Sequence, residues 1–124
     1  MIGRAARTLL RHRPPALLLE TIVAFDGEQL TCTGRPGPWR WAELLEGAAQ
    51  TAGLLAGLQQ AGVDNTAVIA EYRDVTIHVA GHSGAVSFTA RLDRRLLQFW
   101  RCRCDARAAD GTVLLAADVT VAPG

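Results

Sequence analysis

The chain has 124 residues, of which 49% are hydrophobic and 20% charged, as in an ordinary soluble globular domain. This length supports one hydrophobic core, so we expect a single domain over residues 1–124. Its 13 basic residues, all arginines, and 12 acidic residues leave a net charge of +1, which argues against a general nucleic-acid binder. No apolar run is long enough for a signal peptide or a membrane span, so we expect a cytoplasmic protein with no membrane partner.

The first third of the chain predicts a β-hairpin. Pro14 and Pro15 end any helix that begins in residues 2–10. The segment that follows, LLLETIVAFDGEQLTCTG, predicts two strands joined by a turn at Asp26 and Gly27.

A long helix is predicted next, from about Trp41 to Ala61. Between Leu44 and Leu58 every side of this helix is small or apolar except at Glu46 and Gln50, which lie four positions apart and share a face. A helix that is apolar all round is a buried helix. We therefore expect the Glu46 carboxylate to be paired, protonated or used as an acid or base, and we favour the last. For Gln50, a structural bridge and a part in the site both stay open.

From residue 67 onward the hydrophobic pattern changes from a period of about 3.6 to a period of 2, typical of strands. Four strands are predicted, in the segments AVIAEYRDVTIHVA, VSFTARL, FWRCRCDAR and TVLLAADVTVA. One helix is buried on all sides only if strands wrap it. We therefore expect an α+β fold with an antiparallel sheet wrapped around one long helix.

The three cysteines do not indicate a disulfide framework or a metal site. Cys32 stands alone, and Cys102 and Cys104 lie two positions apart, which is not the spacing of a zinc knuckle. Two positions apart on a strand means one face, so we interpret this pair as small core residues. Because no His or Cys occurs at ligand spacing with an acid, we expect no metal and no dissociable cofactor.

Three segments of the chain match the motifs of one family in the right order. RHRPPALLLE is similar to a His-Arg-Pro-Pro segment that runs into a Leu-rich strand, and LLEGAAQTAGLLA to a central helix in which a catalytic acid is followed four positions later by Gln. The tail from AVIAEYRDVTIHVA to DGTVLLAADVTVA is similar to the family's set of strands. Glu46 and Gln50 fall on those two positions. Over roughly residues 9–122 the chain thus resembles the β-hydroxyacyl-acyl-carrier-protein dehydratases, which implies the hotdog fold.

The resemblance departs from the family before the helix. Family members carry Gly-His-Phe-Pro-Gly there, and its His removes the α-proton of the substrate; here the interval is CTGRPGPWRW, which is shorter and has no His. A similar-looking GHSG lies after the helix, so His82 is a candidate replacement base. In this departure the chain is similar to the short dehydratase-like proteins of aryl-polyene clusters.

The resemblance implies an acyl-thioester substrate on an acyl carrier protein, in fatty-acid or polyketide-type metabolism. Dehydration needs a base, an acid and hydrogen-bond donors at the thioester carbonyl. The basic residues of the later strands are either a solvated face or a surface for an acidic carrier protein. The expected site residues are Glu46, Gln50 and His82 for catalysis, Trp39, Trp41 and Gly47 for the acyl group, and Arg94, Arg95 and Arg103 for the carrier protein.

Three functions stay open at this stage. The first, which we favour, is a dehydratase with altered machinery; the second is a thioesterase in which Glu46 activates water; the third is a non-catalytic acyl-binding subunit that pairs with an intact dehydratase. An open sheet edge attracts stray pairing, and the family closes it by joining two sheets. We therefore expect a homodimer, with a heterodimer with a paralogue as the alternative.

Overall fold

The computed structural model describes residues 17–59 and 68–122. The helix predicted before Pro14, the His-Arg-Pro-Pro motif and the predicted end of the long helix at Ala61 lie outside these residues. In the part of the chain that is described, no helix is both long and apolar enough to cross a membrane.

The described residues form one helix and eight strands. In chain order these are β1 (Leu19–Phe25), β2 (Gln29–Gly34), β3 (Trp39–Arg40), α1 (Trp41–Gln59), β4 (Val68–Ile77), β5 (Gly81–His82), β6 (Val86–Leu96), β7 (Phe99–Ala108) and β8 (Val113–Ala122). Six strands make an antiparallel sheet in the order β1-β2-β6-β7-β8-β4, and β3 pairs with β5. The helix α1 packs across the inner face of this sheet. The predicted α+β architecture is confirmed.

The two Asp-Gly pairs form the turns that the sequence predicts. At the β1–β2 turn, Oδ1 of Asp26 accepts the backbone N–H groups of Glu28 and Gln29 at 2.9 and 2.8 Å. These hydrogen bonds lower the pKa of the Asp26 carboxyl. Gly27 follows with a φ of 98°, in the left-handed region that glycine adopts without strain. The β7–β8 turn repeats this arrangement at Asp110 and Gly111.

Small residues let the helix approach the sheet closely. A Cβ on Gly47 would lie 2.4 Å from Cζ of Phe88, a fully buried ring on β6. The buried cysteines of β7, Cys102 and Cys104, lie on the inner face, as predicted for small core residues. Burial raises the pKa of Cys102 to about 12, so this thiol stays protonated and apolar in the core.

Strand β4 does not keep the strict alternation that the sequence predicts. Its pairing with β8 is irregular on both sides of Tyr72, and Asp74 has a φ of 51°. As a result Tyr72 lies opposite Val119 and Ile77 opposite Leu115, and both of these partners are buried. Tyr72 and Ile77 therefore share the inner face, although residues five positions apart lie on opposite faces of a regular strand. β4 is the last strand of the sheet, and its residues from 70 to 77 are exposed.

Candidate functional site

A buried amide on α1 connects the helix to the start of the sheet. Gln50 is only 3% exposed, and its Oε1 accepts the backbone N–H of Leu18 at 3.0 Å, just before β1. Its Nε2 donates to Oε1 of Glu46 at 3.4 Å. An unsatisfied buried amide is costly. The two hydrogen bonds of the Gln50 side chain therefore fix the backbone before β1 and the Glu46 carboxylate relative to the helix.

The Glu46 carboxylate is partly buried, so the expectation of a helix buried on every side is wrong at the N-terminal end of α1. Trp41 and Ala42 are exposed, and Leu45 and Glu46 are partly exposed, whereas positions 47–56 are buried. Within the described residues, α1 packs against one face of a sheet whose strand order ends at β4. An acid in this position is reachable from solvent and from a substrate, which a fully buried one is not.

Tyr72 on β4 is a further candidate for the site, and the sequence reasoning did not single it out. Its side chain is 39% exposed and lies on the inner face of the sheet, the face on which α1 packs. Burial raises the pKa of its phenol, and the charges of Glu46 and Cys104 raise it further. It is the single tyrosine of the chain, but strict alternation would not have placed it on the face against which α1 packs.

The two predicted acyl-site tryptophans lie in different environments. Trp39 is 2% exposed, packs edge-to-face on Phe88 with ring centroids 5.3 Å apart, and carries the Arg35 guanidinium over its ring at 4.4 Å. Trp41 is 44% exposed at the start of α1. Gly47 faces the Phe88 ring rather than open space. Trp41 is therefore the accessible member of the three residues predicted to line the acyl site.

A second carboxylate on α1 has a structural position. Oε2 of Glu43 pairs with Arg35 at 2.6 Å, and its Oε1 accepts the backbone N–H of Arg40 at 2.9 Å. The second contact satisfies a donor at the helix start, as in a capping box. Glu43 therefore ties the short connection before α1 to the helix.

His82 lies on β5, opposite Trp39 in the β3–β5 ladder. Hydrogen bonds from Thr112 lower the pKa of Asp110 at the β7–β8 turn, and the charge of His82 adds a smaller contribution. The imidazole lies against Gly84, where an added Cβ would be 2.8 Å from its Nε2, and its role as a replacement base stays a prediction. In residues 17–59 and 68–122 no three His, Cys, Asp or Glu side chains group as metal ligands, and the absence of a cofactor likewise stays a prediction.

The three arginines predicted for carrier-protein binding do not share one surface. Arg103 alternates with the buried cysteines of β7, so it lies on the outer face, where its Nε is 3.3 Å from Oδ1 of Asp118. The β6–β7 register puts Arg94 on this outer face too. Arg95 lies on the opposite face, with its guanidinium 4.2 Å from the ring centre of Trp100.

No protein-family model and no curated protein matches the chain. Solved structures share its fold. The dehydratase heterocomplex ApeI:P from Xenorhabdus doucetiae is similar at a TM-score of 0.84 and 16% identity, over 98% of this chain and 91% of that chain. A thioesterase from Haemophilus influenzae is similar at a TM-score of 0.67 and 15% identity, over 82% of this chain and 76% of that one. A mutant thioesterase from Pseudomonas aeruginosa gives a TM-score of 0.67 and 22% identity, over 84% and 81% of the two chains.

At these identities the likeness shows the fold. This protein has the hotdog fold, as the sequence resemblance implied. Proteins that share it include both a dehydratase complex and thioesterases, so the fold leaves the reaction to be argued from the site.

Proposed function

We propose that this protein is a cytoplasmic β-hydroxyacyl-thioester dehydratase of fatty-acid or polyketide-type metabolism, with Glu46 as its acid and base. The observation that carries this proposal is a partly exposed carboxylate in the largely apolar helix α1, held by the buried amide of Gln50. A group in this position is fixed in direction and still accessible to a substrate.

One carboxylate is sufficient for both proton transfers when the α-hydrogen and the β-hydroxyl lie on the same side of the substrate. Glu46 takes the α-proton, and the electrons of the C–H bond move to the thioester carbonyl to give an enolate. The enolate collapses to the α,β-double bond, the β C–O bond breaks, and the leaving oxygen takes the proton back from Glu46 as water. The carboxylate is restored, and no second base is consumed.

The proposed carrier of the acyl substrate is an acyl carrier protein. The proposed assembly is a dimer in which a second hotdog chain pairs along β4. The support for pairing is the length and openness of this edge, which exposes the apolar side chains of Tyr72, Val75 and Ile77. A partner there would also cover the open side of the Glu46 site. The similar ApeI:P structure is a heterocomplex, which supports a paralogue as the alternative partner.

A thioesterase is the second candidate function, because the same geometry fits it. Hydrolysis needs one carboxylate to take a proton from water, and thioesterases are among the proteins of similar structure. The products separate the two reactions: hydration or dehydration changes the enoyl double bond and leaves the thioester intact, whereas hydrolysis releases a free thiol.

The test is Glu46→Gln, which removes the ionisable group and keeps the hydrogen-bonding capacity. With crotonyl pantetheine as substrate, we expect hydration to fall by about a hundredfold or more, while the melting temperature changes by only a few degrees. The matched control is Glu43→Gln on the same helix. It should lower stability by at most about 1 kcal/mol, because the ion pair with Arg35 loses one charge, and retain activity per folded molecule.

Retained hydration in Glu46→Gln would contradict the assignment of this carboxylate. Thiol release that depends on Glu46 would instead establish the thioesterase. A wild-type protein that binds the acyl group and performs neither reaction would be the non-catalytic subunit.

A further inference from the structure

The proposed reaction creates a negative charge on the thioester carbonyl oxygen at the stage when Glu46, having taken the α-proton, is neutral and leaves that charge uncompensated. Preorganised donors at such an oxygen are usually the largest single contribution to catalysis. The site therefore needs a neutral or positive hydrogen-bond donor close to Glu46 and reachable by substrate. Gln50 is not suited to this task, because its Nε2 donates to Glu46 and its side chain is buried.

The backbone register places Tyr72 on the correct side of the sheet. It stands in one row with Val119 of β8 and Cys102 of β7, and both of these partners are fully buried beneath α1. Tyr72 itself is half-exposed, because its row ends at the open edge strand. A side chain in this place borders both the helix and the space that a substrate would enter.

The chemistry of the Tyr72 hydroxyl is that of a donor. Within the described residues it makes no hydrogen bond, so its proton is available to a ligand. Burial and the neighbouring Glu46 and Cys104 keep the pKa of the phenol above its ordinary value, so it remains protonated at neutral pH and does not act as a base. It lies near enough to Glu46 to be influenced by its charge, and the two groups are not joined by a hydrogen bond.

We propose that the Tyr72 hydroxyl is the hydrogen-bond donor of the Glu46 site and binds the carbonyl oxygen of the acyl thioester. This inference rests on the proposed function. In the reaction, the O–H group donates to the carbonyl oxygen in the substrate and more strongly to the enolate oxygen. Tyr72 keeps its proton throughout, while Glu46 carries the proton that moves.

The first test measures whether Tyr72 and Glu46 lie close together, and it does not depend on enzymatic activity. Because Tyr72 is the single tyrosine, tyrosinate absorbance during an alkaline titration reports its pKa alone. Glu46→Gln should lower this pKa, since it removes a nearby negative charge. The control is Glu43→Gln on the same helix, whose charge does not contribute to the pKa of Tyr72, so that this variant should leave the pKa in place. An unchanged pKa in Glu46→Gln would overturn the proposal.

The second test is Tyr72→Phe, which removes the hydroxyl and keeps the ring. We expect kcat for hydration of crotonyl pantetheine to fall by about a hundredfold with a much smaller change in KM, because an oxyanion donor acts mainly in the transition state. The melting temperature should stay near the wild-type value. Wild-type kcat in Tyr72→Phe would refute the donor role and leave Glu46 as the proposed acid and base.

The third test separates this inference from the proposed function. The probe is butyryl pantetheine amide, in which a nitrogen replaces the thioester sulfur and the acyl chain is saturated, so that hydration has no double bond and hydrolysis no thioester to act on. Tyr72→Phe should weaken its binding by about fivefold in calorimetry, the loss expected for one hydrogen bond. If the wild type catalyses neither reaction and this difference persists, the proposed function fails and the donor assignment stands. Equal binding to both proteins overturns the donor assignment whatever the activity.

Discussion

Two glycines on the same helix should respond in opposite directions to the same substitution. A Cβ on Gly47 would lie 2.4, 2.7 and 3.0 Å from three atoms of the Phe88 ring, whereas a Cβ on Gly53 would meet no atom of the described residues within 4 Å. Both positions are interior to α1 and buried. Gly47→Ala and Gly53→Ala therefore differ in packing and share the gain in helix propensity.

The magnitude follows from these contacts. Gly→Ala in a helix interior stabilises by about 1 kcal/mol, and this gain is common to the two variants. Overpacking a close-packed core costs about 1–3 kcal/mol, and we expect the upper half of that range at Gly47. The reason is that Phe88 is fully buried and is held by Trp39 and Gly34, so its ring cannot move aside. The difference between the variants is then about 2–3 kcal/mol, or roughly 6–15 °C in Tm for a chain of this length.

Urea unfolding followed by tryptophan fluorescence measures both variants against the wild type. Gly53→Ala should be more stable than the wild type and Gly47→Ala less stable. If Gly47→Ala were as stable as Gly53→Ala, the Phe88 ring would not lie against Gly47 and the packing argument would fail. If Gly47→Ala instead lost acyl binding at unchanged stability, this result would support the sequence-based prediction that Gly47 lines the acyl site.

Two further predictions concern partners. The protein should sediment as a dimer at micromolar concentration, and Val75→Lys, which adds a charge to the open β4 edge, should shift it toward monomer; a monomeric wild type would remove the proposed pairing. Reversing Arg94 and Arg103 to Glu should weaken turnover of a carrier-bound thioester in a salt-dependent way and affect pantetheine thioesters little. Arg95→Glu should leave that ratio unchanged and lower stability by about 0.5–1 kcal/mol, because it loses its contact with Trp100. Equal loss on both substrates in the double reversal would mean that the outer face is not a carrier surface.

Where local chemistry decides the structure, the sequence was sufficient to predict it. Asp26 with Gly27 forms a turn because the carboxylate accepts the following N–H groups and the glycine adopts a positive φ. Strand β7 alternates buried and less buried residues from Trp100 to Ala106 as its period of 2 indicates. The helix begins at Trp41 as predicted. None of these features depends on distant parts of the chain.

The sequence-based predictions are wrong where a register shift moves the following residues of a strand to the other face of the sheet. A register shift between Leu92 and Arg94 puts Arg95 on the inner face, away from Arg103. The irregular pairing around Tyr72 similarly places that side chain on the inner face of the sheet, against which α1 packs. These shifts depend on pairing with strands elsewhere in the chain, and no Gly or Pro marks them in the sequence.

The accessibility of Glu46 has the same origin as the exposure of β4. Apolar periodicity shows that a helix is covered, but the extent of the cover depends on how far the sheet reaches around it. Among the described residues the sheet ends at β4, where Tyr72, Val75 and Ile77 are exposed, and Glu46 on α1 is partly exposed. A chain that paired along β4 would exclude water from the carboxylate and the phenol at once, and electrostatic interactions between a substrate and these groups strengthen when water is excluded. Assembly and catalysis would therefore depend on one another in this protein.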